Sequence, residues 1–372
     1  MCFSLLDYWT VTLPMSLASQ RPQLVYLVFG APTYHQEAQF SIASALTNLR
    51  KTPGEAIDIQ VFSDDPEPYR HLPVTVHTLD AETRTQWNQP HGYHFRSKHV
   101  VLRQVLEQHE LALLIDTDTF FHRSPIELFR RIAPGTLLCN AIGGHYGDDP
   151  KAPLYEALAT VLRSRDLADD QMPLLNSGVM GLHCSDAALL DRSIAYMDEF
   201  YLQAKGAYTL EEFCLAVAAY RSMKVNECPD LIHHYWSRKQ LFRAKIQAWL
   251  RKHGDAPLSP EAMTDIPHVN AKLPRPPALQ RMLYKTVSLA LPEQQRQFLR
   301  ELLYGCYAYP NEFDRACGSA WWDKALENVQ ARLGRTLTRE QLMSWLQQPA
   351  LRLALGKQHP SVQQHLLLKL QD

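Results

Sequence analysis

The stretch Leu111-Ala112-Leu113-Leu114-Ile115-Asp116-Thr117-Asp118-Thr119-Phe120-Phe121 runs five apolar residues into two carboxylates and then into a second apolar pair. An unbroken apolar run of this length marks a strand buried on both faces. Residues two apart on an extended backbone point the same way, so Asp116 and Asp118 share one side of the chain. At the end of a buried strand such a pair suffers desolvation and mutual repulsion, which a cation or strong donors between them must offset. A hard divalent metal carrying a diphosphate meets that demand. An Asp-x-Asp pair also occurs in ordinary turns and helix caps, so the flanks matter. Ser124-Pro125-Ile126-Glu127 follows as a capping box with proline at the first helical position, opening a helix that carries Ile126, Phe129 and Ile132. Strand, acidic turn and helix in that order put the carboxylates at the carboxyl edge of an α/β sheet, where ligands bind.

Working outward, strands and helices alternate. Residues 24–29 form a buried strand, and the segment 37–50 places Ala38, Ile42, Ala45, Leu46 and Leu49 on one helical face. A second strand over 57–62 ends at Ser63-Asp64-Asp65-Pro66, and a third covers 74–79. The helix 97–109, with Val101, Val105 and Leu106 inward, delivers the chain to the strand before Asp116. Further strands are expected over 136–141, 174–182 and 224–227. The pattern predicts a mixed, mainly parallel sheet flanked by helices. Gly30-Ala31-Pro32-Thr33 after the first strand cannot make a Rossmann phosphate turn, and Gly-x-x-x-x-Gly-Lys is absent. A dinucleotide oxidoreductase and a P-loop enzyme are thereby excluded. Gly143-Gly144-His145-Tyr146-Gly147 reads as a glycine-rich surface loop.

Composition narrows the rest. With 372 residues, 46% of them hydrophobic and 21% charged, the chain can bury one large domain and a smaller one. A formal net charge of -1 gives no global attraction to nucleic acid or to an anionic membrane. Seven cysteines without a Cys-x-x-Cys pair argue against a disulfide framework or zinc cluster and for a reducing cytosol. Residues 1–22 read as a disordered leader, or as residues preceding a true start at Met15.

Three later segments carry chemistry. Asn176-Ser177-Gly178-Val179-Met180-Gly181 sets small polar residues in an apolar strand, where glycine lets backbone approach a substrate or the acidic turn. Thr209-Leu210-Glu211-Glu212 opens a helix; Glu212 reads as its capping residue, which leaves Glu211 unexplained. His233-His234-Tyr235-Trp236-Ser237-Arg238-Lys239 packs two imidazoles, two aromatics and two cations into seven residues. One histidine can complete an Asp, Asp, His set on a divalent ion, while Lys239 neutralises phosphate. Strand alternation turns His233 and His234 to opposite faces.

Taken in order, these motifs resemble the GT-A nucleotide-sugar glycosyltransferases, most closely family 8 and its glycogenin-like branch, over residues 23–240. Tyr34-His35-Gln36-Glu37-Ala38-Gln39-Phe40-Ser41-Ile42 is similar to the family's first helix, Ser63-Asp64 to its nucleoside-contacting acid, and Phe95-Arg96-Ser97-Lys98 to its basic approach to Asp-x-Asp. Asn176-Ser177-Gly178 matches its Asn-Ser-Gly strand, and His233 stands at the spacing of its metal histidine and phosphate lysine. The glycine and Pro-Trp that usually flank that late motif are missing, and Thr-Leu-Glu-Glu replaces the usual Asp-Gln. The resemblance implies Mn²⁺ or Mg²⁺ on Asp116, Asp118 and either His233 or His234. It further implies a nucleotide sugar, of UDP type, against Ala31, Thr33, Tyr34, Asp64, Lys98, Thr117, Ser177, Gly178 and Lys239. Catalytic roles fall to Glu211 and Asn176, and the acceptor is a glycan, a lipid or a protein.

Beyond residue 240 the pattern is helical. The segment 237–253 carries Arg238, Lys239, Arg243, Lys245, Arg251 and Lys252 with no acid, while Phe242, Ile246, Trp249 and Leu250 recur at helical spacing. Such a helix either docks on its own core with a solvated basic face or meets the inner face of a membrane peripherally. Residues 255–278 read as a proline-rich linker, and the remainder through Trp321-Trp322 and Thr338-Arg339-Glu340-Gln341 as a helical region whose aromatics pack. The expectation is a cytoplasmic metal-dependent glycosyltransferase. Its rivals are a haloacid-dehalogenase-type phosphatase with Asp116 as nucleophile, disfavoured by Phe120, and a catalytically idle nucleotide-sugar-binding protein.

Overall fold

The computed structural model describes residues 21–204 and 207–370. Most of the expected leader, residues 1–20, therefore lies outside the described residues. In chain order the first part holds β1 (Gln23–Val28), α1 (Pro32–Leu49), β2 (Asp58–Ser63), β3 (Thr75–Thr78), α2 (Ala81–Trp87), α3 (Arg96–Leu106), β4 (Leu111–Ile115), β5 (Thr119–Phe121) and α4 (Ile126–Phe129). Then come β6 (Thr136–His145), α5 (Pro153–Ser164), β7 (Pro173–His183), α6 (Ala188–Phe200), α7 (Leu210–Ala219), β8 (Lys224–Glu227), β9 (Ile232–His234), α8 (Lys239–His253) and α9 (Pro260–Asp265).

Seven strands form one sheet in the order β3-β2-β1-β4-β7-β6-β8. Only β7 runs against its neighbours, so the sheet is mixed and mainly parallel. Both faces are covered. Leu24, Tyr26, Leu113 and Ile115 pack with Ala38 and Ile42 of α1 on one side. Val25, Ala112 and Leu114 pack with Val101 and Val105 of α3 and with Phe213 of α7 on the other. The period-two side-chain alternation of a strand thus sends successive residues of one apolar run into two cores. β1 and β4 are in register from Gln23↔Ala112 to Tyr26↔Ile115, which ends β4 at the sheet edge beside the loop that starts α1. The antiparallel partner β7 pairs Val179 with Ile115, and the Asp116 amide donates to the Gly178 carbonyl at 3.0 Å.

Several elements differ from the sequence reading. α1 begins at Pro32, because proline at its first position supplies the helical φ without any side-chain cap. No capping box forms at Ser124; α4 has Pro125 as its cap without a side-chain bond, and the Ser124 hydroxyl lies 2.9 Å from that of Thr52. β6 continues through Gly143, Gly144 and His145, with irregular register beyond Cys139, so these residues extend a strand and do not form a loop. The residues after Asp118 are themselves a strand. β5 pairs with β9 in a separate antiparallel ribbon, with Thr119 opposite His234 and Phe120 opposite His233.

The C-terminal part is helical. α9 lies inside the proline-rich stretch, and Ala262, Ile266 and Val269 join Phe40, Phe120 and Trp249 in a buried cluster, so the segment is packed onto the sheet-bearing part. Helices over Ala278–Ser288, Glu293–Gly305, Gly318–Leu333, Arg339–Leu346 and His359–Lys369 follow. They enclose a core that includes Leu299, Leu302, Leu326, Leu342 and Leu366. Thr338 and Gln341 form a reciprocal capping box at the start of Arg339–Leu346. α8 does not present a solvated basic face: Lys239 pairs with Asp118, Arg243 with Glu37, Lys245 with Asp314, and Lys252 with Asp265 and Glu312. Four of its five lysines and arginines are thus neutralised within the chain, which leaves little free charge for an anionic membrane. Among the described residues no helix is long and apolar enough to cross a membrane.

Candidate active site

The turn between β4 and β5 is held from beneath by a buried polar chain. The Thr119 hydroxyl donates to the Asp116 carbonyl at 2.8 Å and lies 3.1 Å from the Ser41 hydroxyl, which in turn lies 2.9 Å from the Tyr26 hydroxyl. Asp116 and Asp118 therefore sit in a braced turn between two strands, not on the extended strand that the alternation argument assumed.

Their surroundings are cationic. Lys98 Nζ lies 2.7 Å from one Asp116 oxygen and 2.9 Å from the other. Asp118 is 6% exposed, with Lys239 Nζ at 2.7 Å and His234 Nε2 at 3.3 Å from its two oxygens. Burial pushes the Asp118 carboxyl up, but the His234 hydrogen bond and charge and the Lys239 ammonium outweigh it and hold the group well below the usual carboxylate range. One ligand atom each from Asp116, Asp118 and His234 lies within 4.8 Å of the others. Two carboxylates and an imidazole form an oxygen-rich donor set that suits Mn²⁺ or Mg²⁺.

The register of the β5–β9 ribbon separates the two histidines. His234, opposite Thr119, enters the acidic turn, and its Nδ1 lies 2.9 Å from Asn176 Oδ1. That oxygen also accepts from the Gly178 amide at 3.1 Å, so it is an acceptor; a neutral His234 carries its proton on Nδ1 and leaves Nε2 free for a cation. Asn176, expected from the sequence to be catalytic, thereby holds the His234 ring by a hydrogen bond. Gly178 is required here, since a Cβ on it would stand 2.3 Å from two atoms of the His234 ring. His233, the other metal candidate, turns away. Its ring packs 5.1 Å from that of Phe120 and 5.3 Å from that of Phe242, and burial pushes its pKa down to about 4. It is a neutral packing residue. We expect His234→Ala to weaken Mn²⁺ affinity by about 10-fold to 100-fold or more, and His233→Ala to lower stability by about 1–3 kcal/mol with metal affinity kept. Titration calorimetry with Mn²⁺ and urea unfolding separate the two; equal effects on affinity would remove histidine from the site.

Glu211 lies beneath the site, 2% exposed. Its carboxylate stands 2.9 Å from His99 Nε2, accepts from the Ser177 hydroxyl at 2.9 Å, and is 3.9 Å from Lys98 Nζ. Burial raises its pKa, but Lys98 and the hydrogen bonds from His99 and Ser177 bring it below the usual value. Glu211 and Ser177 thus anchor Lys98 from behind. Burial disfavours the Lys98 ammonium, and the Asp116 and Glu211 carboxylates overcome this and raise its pKa.

The cleft above the turn, about 190 Å³, is lined by Tyr34, Phe95, Lys98, Asp116, Thr117, Asp118 and Lys239, with Tyr208 at its side. Ala31, the residue before α1, and Thr33, in its first turn, do not line it. Asp64 is also elsewhere. It accepts from the Gly30 amide at 3.0 Å and borders a separate open cavity with His35, Glu67 and Arg70. Sequence reasoning missed Glu212 and Tyr208. Glu212 does not cap α7, whose first residue has no side-chain cap; its Oε1 accepts from Asn176 Nδ2 at 3.2 Å and from the Ser177 amide at 3.3 Å. The local pattern of a capping box conceals this longer-range use.

No protein family model matches the chain, and no curated protein matches it in sequence. Solved structures similar to it include the apo form of the WbbM bifunctional glycosyltransferase, 13% identical with a TM-score of 0.38 over 57% of this chain and 39% of that one. The apo form of mouse xyloside xylosyltransferase 1 is 12% identical, with a TM-score of 0.40 over 56% of this chain and 85% of that one. The chain thus spans about two fifths of the length of WbbM.

Proposed function

We propose that this chain is a metal-dependent glycosyltransferase that moves a sugar from a nucleotide-diphosphate donor, of UDP type, to a hydroxyl-bearing acceptor in the cytoplasm. The observation that carries the reading is the grouping of Asp116, Asp118 and His234 within 4.8 Å, flanked by Lys98 and Lys239. A phosphate-rich ligand needs positive charge where its leaving group departs, and two carboxylates with an imidazole supply it through a bound ion. Mn²⁺ or Mg²⁺ on those three residues would neutralise the diphosphate. Lys98, which hydrogen-bonds Asp116, and Lys239, which forms an ion pair with Asp118, are cations able to turn from those carboxylates to phosphate oxygens. Glu211 and Ser177 keep Lys98 oriented and charged. Asn176 keeps the His234 imidazole turned inward. Tyr34 and Phe95, on the cleft walls, offer aromatic surface to the nucleoside or sugar.

The reading predicts that UDP raises the melting temperature in the presence of Mn²⁺ and not in its absence. At a ligand concentration 100-fold above Kd, linkage adds about 2.7 kcal/mol of stability. With a UDP-sugar and Mn²⁺ the protein should slowly release free sugar and UDP, water replacing the acceptor, and form no phosphoenzyme. Product chromatography reads the release. Hydrolysis of a generic phosphate monoester, with UDP-, GDP- and ADP-sugars left intact and an acid-stable label on Asp116, would overturn this reading in favour of a phosphatase.

A further inference from the structure

Beside the acidic cleft lies a larger cavity of about 700 Å³, walled by Tyr146, Leu154, Tyr155, Leu175 and Phe213. Tyr208 lines both spaces, so the cavity and the cleft adjoin. Such a volume fits a small organic ligand, and its apolar and aromatic lining favours one with an apolar part. Glu212 lines the cavity. Its Oε1 is anchored by Asn176 and the Ser177 amide, while Oε2 has no hydrogen-bond partner among the described residues. The same Asn176 holds His234, and the same Ser177 holds Glu211 behind Lys98. A carboxylate with one oxygen fixed and one free, lining an apolar cavity and tied through Asn176 to His234 of the diacid turn, has the geometry of a proton acceptor.

We propose that this cavity binds the acceptor, a glycoside with an apolar aglycone, and that Glu212 is the base that accepts the proton of its hydroxyl. The proposal rests on the transferase reading above. In the step, the hydroxyl proton passes to Glu212 Oε2 and the oxygen lone pair bonds the anomeric carbon of the donor. The anomeric carbon–oxygen bond breaks, and its electron pair leaves on the diphosphate beside Lys98 and Lys239. Burial and then the Glu211 carboxylate push the Glu212 pKa up to about 7, against the opposing pull of Lys98. The charged and titratable groups around Glu212 are Glu211 on α7, Lys98 on α3, Asp116 after β4, and His145, Tyr146, Asp148, Asp149, Tyr155 and Tyr208 lining the cavity. Because the raised group accepts protons only when ionised, the rate should climb as pH rises through about 7 and then level.

The test uses the full chain with UDP-glucose, UDP-galactose or UDP-xylose, Mn²⁺, and p-nitrophenyl or octyl β-glycosides as acceptors. The glycoside should accelerate UDP release and give an extended glycoside by mass spectrometry. Glu212→Gln, which keeps the anchoring oxygen, should lower turnover by about 100-fold or more and abolish the pH limb, while UDP still binds with Mn²⁺. Ala152→Trp, which fills part of the cavity, should raise KM for the glycoside about tenfold or more. Turnover of Glu212→Gln within threefold of the parent, or a retained limb, overturns the base. An octyl or aryl glycoside that changes nothing while hydrolysis by water proceeds overturns the acceptor class. A parent protein that neither binds UDP with Mn²⁺ nor cleaves any UDP-sugar overturns the transferase reading, and this proposal with it.

Discussion

Replacing Asp116 or Asp118 by asparagine should weaken Mn²⁺-dependent UDP binding by about 100-fold or more while the protein stays folded. Loss of a partner that merely orients a metal ligand costs about 10-fold to 100-fold in affinity, and a direct ligand carries more. Asparagine keeps the volume, so no cavity opens, and its carbonyl oxygen remains a hydrogen-bond acceptor. Lys98 retains the Glu211 carboxylate at 3.9 Å after Asp116→Asn. Lys239, about a third exposed along its side chain, can turn to water after Asp118→Asn. Calorimetric titration of UDP with and without Mn²⁺ reads the effect, and circular dichroism reads the fold. A variant that binds UDP and Mn²⁺ like its parent removes that carboxylate from the metal site, whereas equal weakening with and without Mn²⁺ makes it a structural acid.

The second large effect is expected at Lys245, on α8. Lys245 is 0% exposed, 2.7 Å from Asp314, and donates to the carbonyls of Asn270 and Lys272 at 3.2 and 2.8 Å. It therefore ties α8 to the extended stretch after α9 and to the helical region. Lys245→Met removes one partner of a buried ion pair, leaving Asp314 without its cation and two carbonyls without their donor, a loss of about 3–5 kcal/mol. In a chain of this size unfolding need not be a single transition, so the first transition in urea is the one to follow. The double variant Lys245→Met with Asp314→Leu should recover a substantial part of the loss, because the stranded charge is then gone. Unchanged stability of Lys245→Met would mean that the ammonium contributes nothing beyond its own desolvation.

What the sequence determined by itself is what local periodicity encodes. The run 111–115 alternates into two cores because consecutive strand residues face opposite ways, and its buried end is legible as the place where Asp116 and Asp118 must stand. β8 matches the expected span 224–227, and the sheet is mixed and mainly parallel with a helical C-terminal region, since these features follow from strand and helix periods and their order. The tertiary structure decided which elements meet. β5 and β9 are three residues each and lie more than a hundred positions apart, too short for periodicity to announce them, yet their register alone brings His234 and not His233 to the acidic turn. Glu212 follows a threonine at capping-box spacing, a pattern that is locally complete, and only the approach of β7 turns its carboxylate to Asn176 and Ser177. Lys245 reads as one more cation on a basic helix, and burial opposite Asp314 is a property of the region that packs on it. Asp64 follows the end of β2, where it accepts from the Gly30 amide after β1 and borders a different cavity. Periodicity fixes which face a residue takes, because that depends on backbone geometry alone. Its partner across that face depends on loop closure and register, which no local pattern contains.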